Sequence, residues 1–66
     1  MIKSQHYINH LYGVLQEEAA ELIQAISKRR RFGDNLKDIN HELNDILAVV
    51  EMLALEGEPL YEDYGL

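Results

Sequence analysis

The sequence predicts an all-α protein, an antiparallel helical hairpin that dimerises into a four-helix-bundle core. Apolar residues recur every three or four positions in two long runs, which is the period of an amphipathic helix. A short turn-forming segment near residues 32–35 separates the runs. A chain of 66 residues without cysteine buries only about 60% of its unfolded surface alone and has no disulfide to help. We therefore expect residues 1–66 to form a single helical domain that is stabilised by self-association, as a homodimer or as a dimer of dimers.

The first run predicts a long helix that ends near residues 28–31. Ser4 is its expected N-cap, and the cations of 28–31 suit the negative end of the helix dipole. Gly33 is placed to cap the helix, and Phe32 is expected to close the end of the core. Gly13 lies within the run and marks either a weak point or a break into two shorter helices. The apolar stripe consists of Ile8, Leu11, Tyr12, Leu15, Ala19, Leu22, Ile23 and Ile26.

The second run predicts a second helix, which begins after Asp34 or Asn35. Either residue is a good N-cap, and Gly57 is placed to end the helix. Met52 is expected in the core, and residues 60–66 form either another turn or an acidic tail. The apolar stripe consists of Ile39, Leu43, Ile46, Leu47, Val50, Leu53 and Ala54.

Two pairs of acidic residues, Glu18 with Glu21 and Glu42 with Asp45, lie one pair in each helix. Residues three apart are neighbours on one helical face. Counted from the loop, Glu21 and Asp45 are each ~15 Å away and should face one another. Their angular positions place the acids beside the apolar stripes, flanking the core. Because crowded carboxylates repel, we expect a hard cation between them, Mg²⁺ or alternatively Mn²⁺.

Charge and hydropathy limit the other partners. The net charge of −6 argues against a nucleic-acid polymer, because such binding depends on neutralising phosphates with Lys and Arg. No apolar run approaches the ~20 residues that cross a bilayer, so no membrane partner is expected. A cytoplasmic location is the default expectation.

The acidic motifs, Glu-Glu-x-x-Glu at residues 17–21 and Glu-x-x-Asp at residues 42–45, resemble the signature of the MazG-like all-α nucleoside triphosphate pyrophosphohydrolases. The similarity extends over about residues 11–60 and includes the apolar residues that follow each motif. It implies hydrolysis of a nucleoside triphosphate to the monophosphate and pyrophosphate, with metal ions that bridge phosphate oxygens. The Mg²⁺ ligands that the resemblance implies are Glu18, Glu21, Glu42 and Asp45.

Two further roles follow from the same resemblance. Glu17 could hold or deprotonate the attacking water as a catalytic residue, and Lys28 could bind a substrate phosphate. The simpler interpretations are a solvated glutamate and a cation that suits the helix dipole. His41 stands next to Glu42 but points about 100° away, so it is not expected to be a ligand.

Other functions remain open. Phosphoribosyl-ATP pyrophosphohydrolase is a second enzyme hypothesis, although its longer substrate should need more basic residues. A helical interaction or nucleotide-sensing module that performs no chemistry is the hypothesis from a different class. Members of the family usually continue into a further helix with basic residues, whereas this sequence stops at Leu66. A partner subunit then completes the pocket, or a shortened pocket takes another ligand, or activity is weakened.

Overall fold

The computed structural model describes residues 5–60, in which two α-helices, α1 (Gln5–Phe32) and α2 (Leu36–Leu55), are joined by a short loop. No strand occurs within that range, which confirms the all-α prediction for the described residues. Ser4 and residues 61–66 lie outside it, so the predicted cap and tail are not addressed. Neither helix is long and apolar enough to span a membrane.

Helix α1 runs without interruption through Gly13, so the predicted alternative of two shorter helices is wrong. It ends where the sequence indicates, because Gly33 has a φ of 72° and its N–H donates to the carbonyl of Arg29 at 2.9 Å. A left-handed residue at this position is a common helix C-cap, and glycine adopts it without steric cost.

Asn35 connects the loop to both helices. As the N-cap of α2, it accepts hydrogen bonds at its backbone carbonyl from the N–H groups of Asp38 (3.1 Å) and Ile39 (3.2 Å). Its side chain makes no capping bond. Instead, Nδ2 donates to the carbonyl of Ala25 at 2.8 Å, which ties the loop back to α1. The preceding Asp34 has a φ of 47°, a left-handed conformation that Asp tolerates better than most residues.

The end of α2 is a Schellman motif. Gly57, with a φ of 90°, donates its N–H to the carbonyl of Ala54 at 3.1 Å, and Glu58 donates to Leu53 at 2.9 Å. The hydroxyl of Tyr12 then donates to Oε1 of Glu58 at 2.6 Å. The segment after α2 is thereby held against the first third of α1.

The buried core lies where the start of α1 meets the end of α2. Ile8 and Leu11 pack with Val49 and with Leu53, whose side chain is completely inaccessible. This pairing of opposite ends confirms that the two helices are antiparallel. Buried and half-buried residues recur every three or four positions along both helices, as in a coiled-coil contact. We call this line of contact between the two helices the seam. Its buried and half-buried residues are Ile8, Leu11, Leu15, Glu18, Leu22, Ala25, Ile39, Glu42, Ile46, Val49 and Leu53.

Two core predictions are wrong. Phe32 is 77% exposed, because it is the last residue of α1 and no described part of the chain covers it. Met52 is 42% exposed, because it directly precedes the seam residue Leu53 and is therefore rotated by about 100° away from α1.

The apolar stripes of the sequence divide into two surfaces. Four exposed side chains, Ile23, Ile26, Leu43 and Leu47, each directly follow a seam residue. They are thus rotated by about 100° from the seam in the same sense. Because the helices are antiparallel, this rotation brings all four to one side of the hairpin. We call them the second apolar face.

Candidate metal centre

Two glutamates occupy positions in the helix seam where apolar residues would be usual. Glu18 lies seven residues after Leu11, and Glu42 lies seven residues before Val49, so both return to the contact line after two turns. The Oε2 atoms of both glutamates are buried and have no hydrogen-bond partner among the described residues. A buried carboxylate oxygen without a partner is unfavourable, so a positive partner is expected at this point.

Glu21 and Asp45 extend this pair on the opposite side from the second apolar face. Each directly precedes a seam residue and is rotated by about 100° in the opposite sense. Carboxylate oxygens of Glu18, Glu21 and Glu42 lie within 4.8 Å of one another. A carboxylate oxygen of Asp45 lies within 4.8 Å of one of Glu42, and the negative charge of Asp45 contributes to the raised pKa of Glu18. The structure therefore brings together the four predicted acids, here called the four-acid cluster.

The proximity of these acids changes their protonation. Burial raises the pKa of Glu18, and the negative charges of Glu21 and Asp45 raise it further. A side-chain hydrogen bond with Glu21, partial burial and neighbouring negative charge raise the pKa of Glu42 to about 7. A hydrogen bond between two carboxyl groups requires a proton on one of them. Without a cation, the cluster therefore retains a proton close to neutral pH.

The donor set fits a hard divalent cation. All four side chains offer carboxylate oxygens, which suit Mg²⁺, Ca²⁺ and Mn²⁺ better than softer metals. The expectation that the cluster flanks the core requires one correction, because Glu18 and Glu42 each have an oxygen inside the helix interface. The sequence-based angles of the acids are taken from the centre of each apolar stripe, which mixes seam residues with residues of the second apolar face. That centre is rotated away from the seam, so the acids are predicted to lie beside the core.

Lys28 shares an open cleft with part of the four-acid cluster. The cleft has a volume of about 320 Å³ and is lined by Glu21, Gln24, Ala25, Lys28, Asp38 and Glu42. Sequence reasoning did not identify Gln24 and Asp38 as lining residues. The available signal was their position, because each directly precedes a seam residue, as Glu21 does.

Glu17 and His41 each directly precede a glutamate of the four-acid cluster. Glu17 directly precedes Glu18 and is exposed, and it is not among the described residues that line the cleft. Nε2 of His41 lies 3.4 Å from Oδ2 of Asp45, and the two residues are four apart on α2. The expectation for His41 considered only its neighbour Glu42. The i, i+4 relation to Asp45 was the signal that could have placed it in the cluster.

The protein is thus an all-α hairpin with a carboxylate cluster across its seam, whose oxygen atoms could hold a metal ion. The sequence model of the MazG nucleotide pyrophosphohydrolase domain matches residues 7–62, most of the chain. The chain therefore belongs to the MazG nucleotide pyrophosphohydrolase family, whose members are typically metal-dependent hydrolases of nucleotides. No curated protein and no solved structure matches the chain significantly.

Proposed function

We propose that this protein is a Mg²⁺-dependent hydrolase that converts a nucleoside triphosphate into the monophosphate and pyrophosphate. The observation that carries the proposal is the four-acid cluster, with two buried, unpartnered oxygens in the helix seam. Membership of the MazG family supports the reaction class. A purely solvated acidic face would not account for these seam oxygens, because charged residues that serve only solubility lie at the surface.

Glu18, Glu21, Glu42 and Asp45 would hold Mg²⁺, with Mn²⁺ as the alternative. When bound, the metal supplies positive charge that neutralises phosphate oxygens and activates a water molecule. The chain itself provides the framework for this site. The seam fixes Glu18 and Glu42 between two helices, while Glu21 and Asp45 stand at its edge, open to solvent and to a substrate.

Lys28 would bind a phosphate of the substrate. Its support is the shared cleft, in which an ammonium group and the carboxylates line the same space. A triphosphate that is bridged to the acids through metal would leave anionic oxygens for a point charge such as lysine. Glu17 would orient or deprotonate the attacking water, a role that is supported by its place beside Glu18 in the motif.

The second apolar face would pack against the same face of a second copy and complete a four-helix bundle. Its four side chains, Ile23, Ile26, Leu43 and Leu47, are between 41% and 64% exposed in the single chain. Burial of apolar surface stabilises by roughly 25 cal/mol per Å². The face lies opposite Glu21 and Asp45, so dimerisation would leave the edge of the four-acid cluster open. The single domain, the cytoplasmic location and the lack of a nucleic-acid partner stay predictions from the sequence.

The test replaces a metal ligand with an uncharged isostere. Glu21→Gln and Asp45→Asn should each abolish metal-dependent pyrophosphate release while the helical circular dichroism signal is kept. Glu51→Gln is the matched control, because Glu51 is an exposed acid of α2 that is not part of the four-acid cluster. Retained turnover in both folded ligand variants would refute the assignment of the cluster. A protein that binds Mg²⁺ through the cluster but releases no pyrophosphate would instead be a nucleotide-sensing module.

A further inference from the structure

A line of polar side chains leads from the four-acid cluster along one side of α1 towards the loop. Glu21, Gln24, Lys28 and Arg31 follow one another at spacings of three, four and three residues, so they return to the same side of the helix. From the helical rise, Lys28 lies ~10 Å and Arg31 ~15 Å beyond Glu21. The side of α1 that carries a carboxylate at the cluster therefore carries cations nearer the loop.

Two adjoining clefts follow this line. The cleft beside the four-acid cluster includes Gln24 and Lys28 in its lining. The same two residues line a second cleft of about 470 Å³, together with Ile23, Ser27 and Arg31. Because the clefts share two side chains, an extended ligand could reach from the acids to Arg31 along the surface of α1.

The helix dipole alone does not explain which cations line these clefts. Positive residues in the last turn of a helix are favourable on any side, and Arg29 and Arg30 meet that need as well. Of the four described cations at residues 28–31, only Lys28 and Arg31 line this pair of clefts. Neither forms an ion pair within residues 5–60. Their charges are thus available to an anion, in a protein whose net charge is −6.

We infer that Lys28 and Arg31 form the subsite for the two terminal phosphates of the substrate. The triphosphate would lie with its pyrophosphate half towards the loop and its nucleoside half towards the opposite, open end of the hairpin. The inference rests on the proposed function, in which the attacked α-phosphate lies at the four-acid cluster. Hydrolysis adds water to the α-phosphorus and breaks its bond to the oxygen that leads to the β-phosphate. The water proton passes to a base, the role proposed for Glu17, and pyrophosphate leaves over Lys28 and Arg31.

The chemistry of the two cations suits this role. A guanidinium group presents a planar fork of N–H donors to phosphate oxygens, and lysine adds a point charge. Side chains of a helix lean towards its N-terminus, so Arg31 leans back towards Lys28 and the acids. A nucleoside monophosphate at the cluster has no further phosphate to offer Arg31. The subsite would therefore favour the triphosphate over the monophosphate product.

The experiment measures binding of inorganic pyrophosphate and of a panel of nucleoside monophosphates by calorimetry with Mg²⁺. It compares the wild-type protein with Arg31→Gln and Arg29→Gln. Arg31→Gln should weaken pyrophosphate binding by about tenfold or more, through loss of a charged hydrogen bond, and leave monophosphate binding within about twofold. Arg29→Gln is the matched control, because Arg29 has the same charge in the same turn but is not among the described residues that line either cleft. It should change both affinities by less than about twofold, since salt screens an exposed charge at a distance.

The outcomes separate this subsite from the proposed function. Equal pyrophosphate binding by wild-type protein and Arg31→Gln, or equal losses in Arg31→Gln and Arg29→Gln, would overturn the subsite, while pyrophosphate release from triphosphates would still support the proposed function. Weaker binding of monophosphates and not of pyrophosphate in Arg31→Gln would indicate the reverse orientation and refute the inference. Conversely, pyrophosphate binding that depends on Arg31 in a protein that hydrolyses no triphosphate would support the subsite and refute the hydrolase.

Discussion

The protonation of Glu42 leads to an unusual dependence of stability on pH. In the folded, metal-free protein the pKa of Glu42 is raised from 4.5 to about 7 by Glu21, by burial and by the charge of Glu18. In the unfolded chain Glu42 returns to its ordinary value. Between these values the folded state binds more protons than the unfolded state. The free energy of unfolding should therefore decrease as the pH rises from 4.5 to 7, and change little through Glu42 above that window.

The size of the effect is expressed as bound protons. At the middle of the window Glu42 is mostly protonated when folded and mostly ionised when unfolded, a difference that approaches about one proton. The pKa of Glu18 is also raised, which adds a contribution of the same sign. Carboxylates that are paired with cations behave in the opposite way, since their folded pKa is lowered and stability is lost on acidification.

The assay is urea unfolding followed by circular dichroism in EDTA, at fixed protein concentration and at several pH values between 4.5 and 8. Glu42→Gln should flatten the decrease, whereas Glu51→Gln should retain it. Addition of Mg²⁺ near pH 6 should release a proton, because the cation and the proton compete for the same carboxylates. Stability that rises through this window in the metal-free wild-type protein would refute the account of the cluster's protonation.

Three further predictions test the fold. Leu53→Ala removes the fully buried side chain of the core and should cost about 2–5 kcal/mol in urea unfolding, whereas Leu55→Ala, at a 77% exposed position, should change stability by less than about 0.5 kcal/mol. Gly13→Ala should stabilise by up to about 1 kcal/mol, because an added Cβ meets no atom within 4 Å in the middle of α1; a loss of stability would contradict the uninterrupted helix. Asn35→Ala should cost about 1 kcal/mol through loss of the bond to the Ala25 carbonyl, and an unchanged urea midpoint would show that this bond does not stabilise the loop.

Local signals were sufficient to predict the helices and their ends. Gly33 and Gly57 both adopt the positive φ that their positions indicated, since glycine is the residue that a left-handed C-cap favours. Asn35 was correctly predicted as a possible N-cap. Its side-chain bond to Ala25 could not be predicted, because that contact depends on how the loop folds back onto α1.

The rotation of each helix was the information that the sequence pattern lacked. Residues of the seam and of the second apolar face are both apolar and adjacent in sequence, so a single broad stripe merged them. This is why Glu18 and Glu42 were predicted to lie beside the core. The i, i+3 spacing correctly predicted which acids share a helical face. The distance from the loop paired Glu21 with Asp45, whereas the structure brings Glu21 close to Glu42 and Asp45 close to Glu18.

The most direct test of the central claim is pyrophosphate release from a panel of standard and modified ribo- and deoxynucleoside triphosphates, first with Mg²⁺ and then with excess EDTA. The account predicts release from at least one triphosphate with Mg²⁺ and its complete loss with the chelator. Release that persists in EDTA would contradict a role for the four-acid cluster as a metal site. No release from any member of the panel by folded, Mg²⁺-loaded protein would contradict the assignment of a nucleoside triphosphate hydrolase.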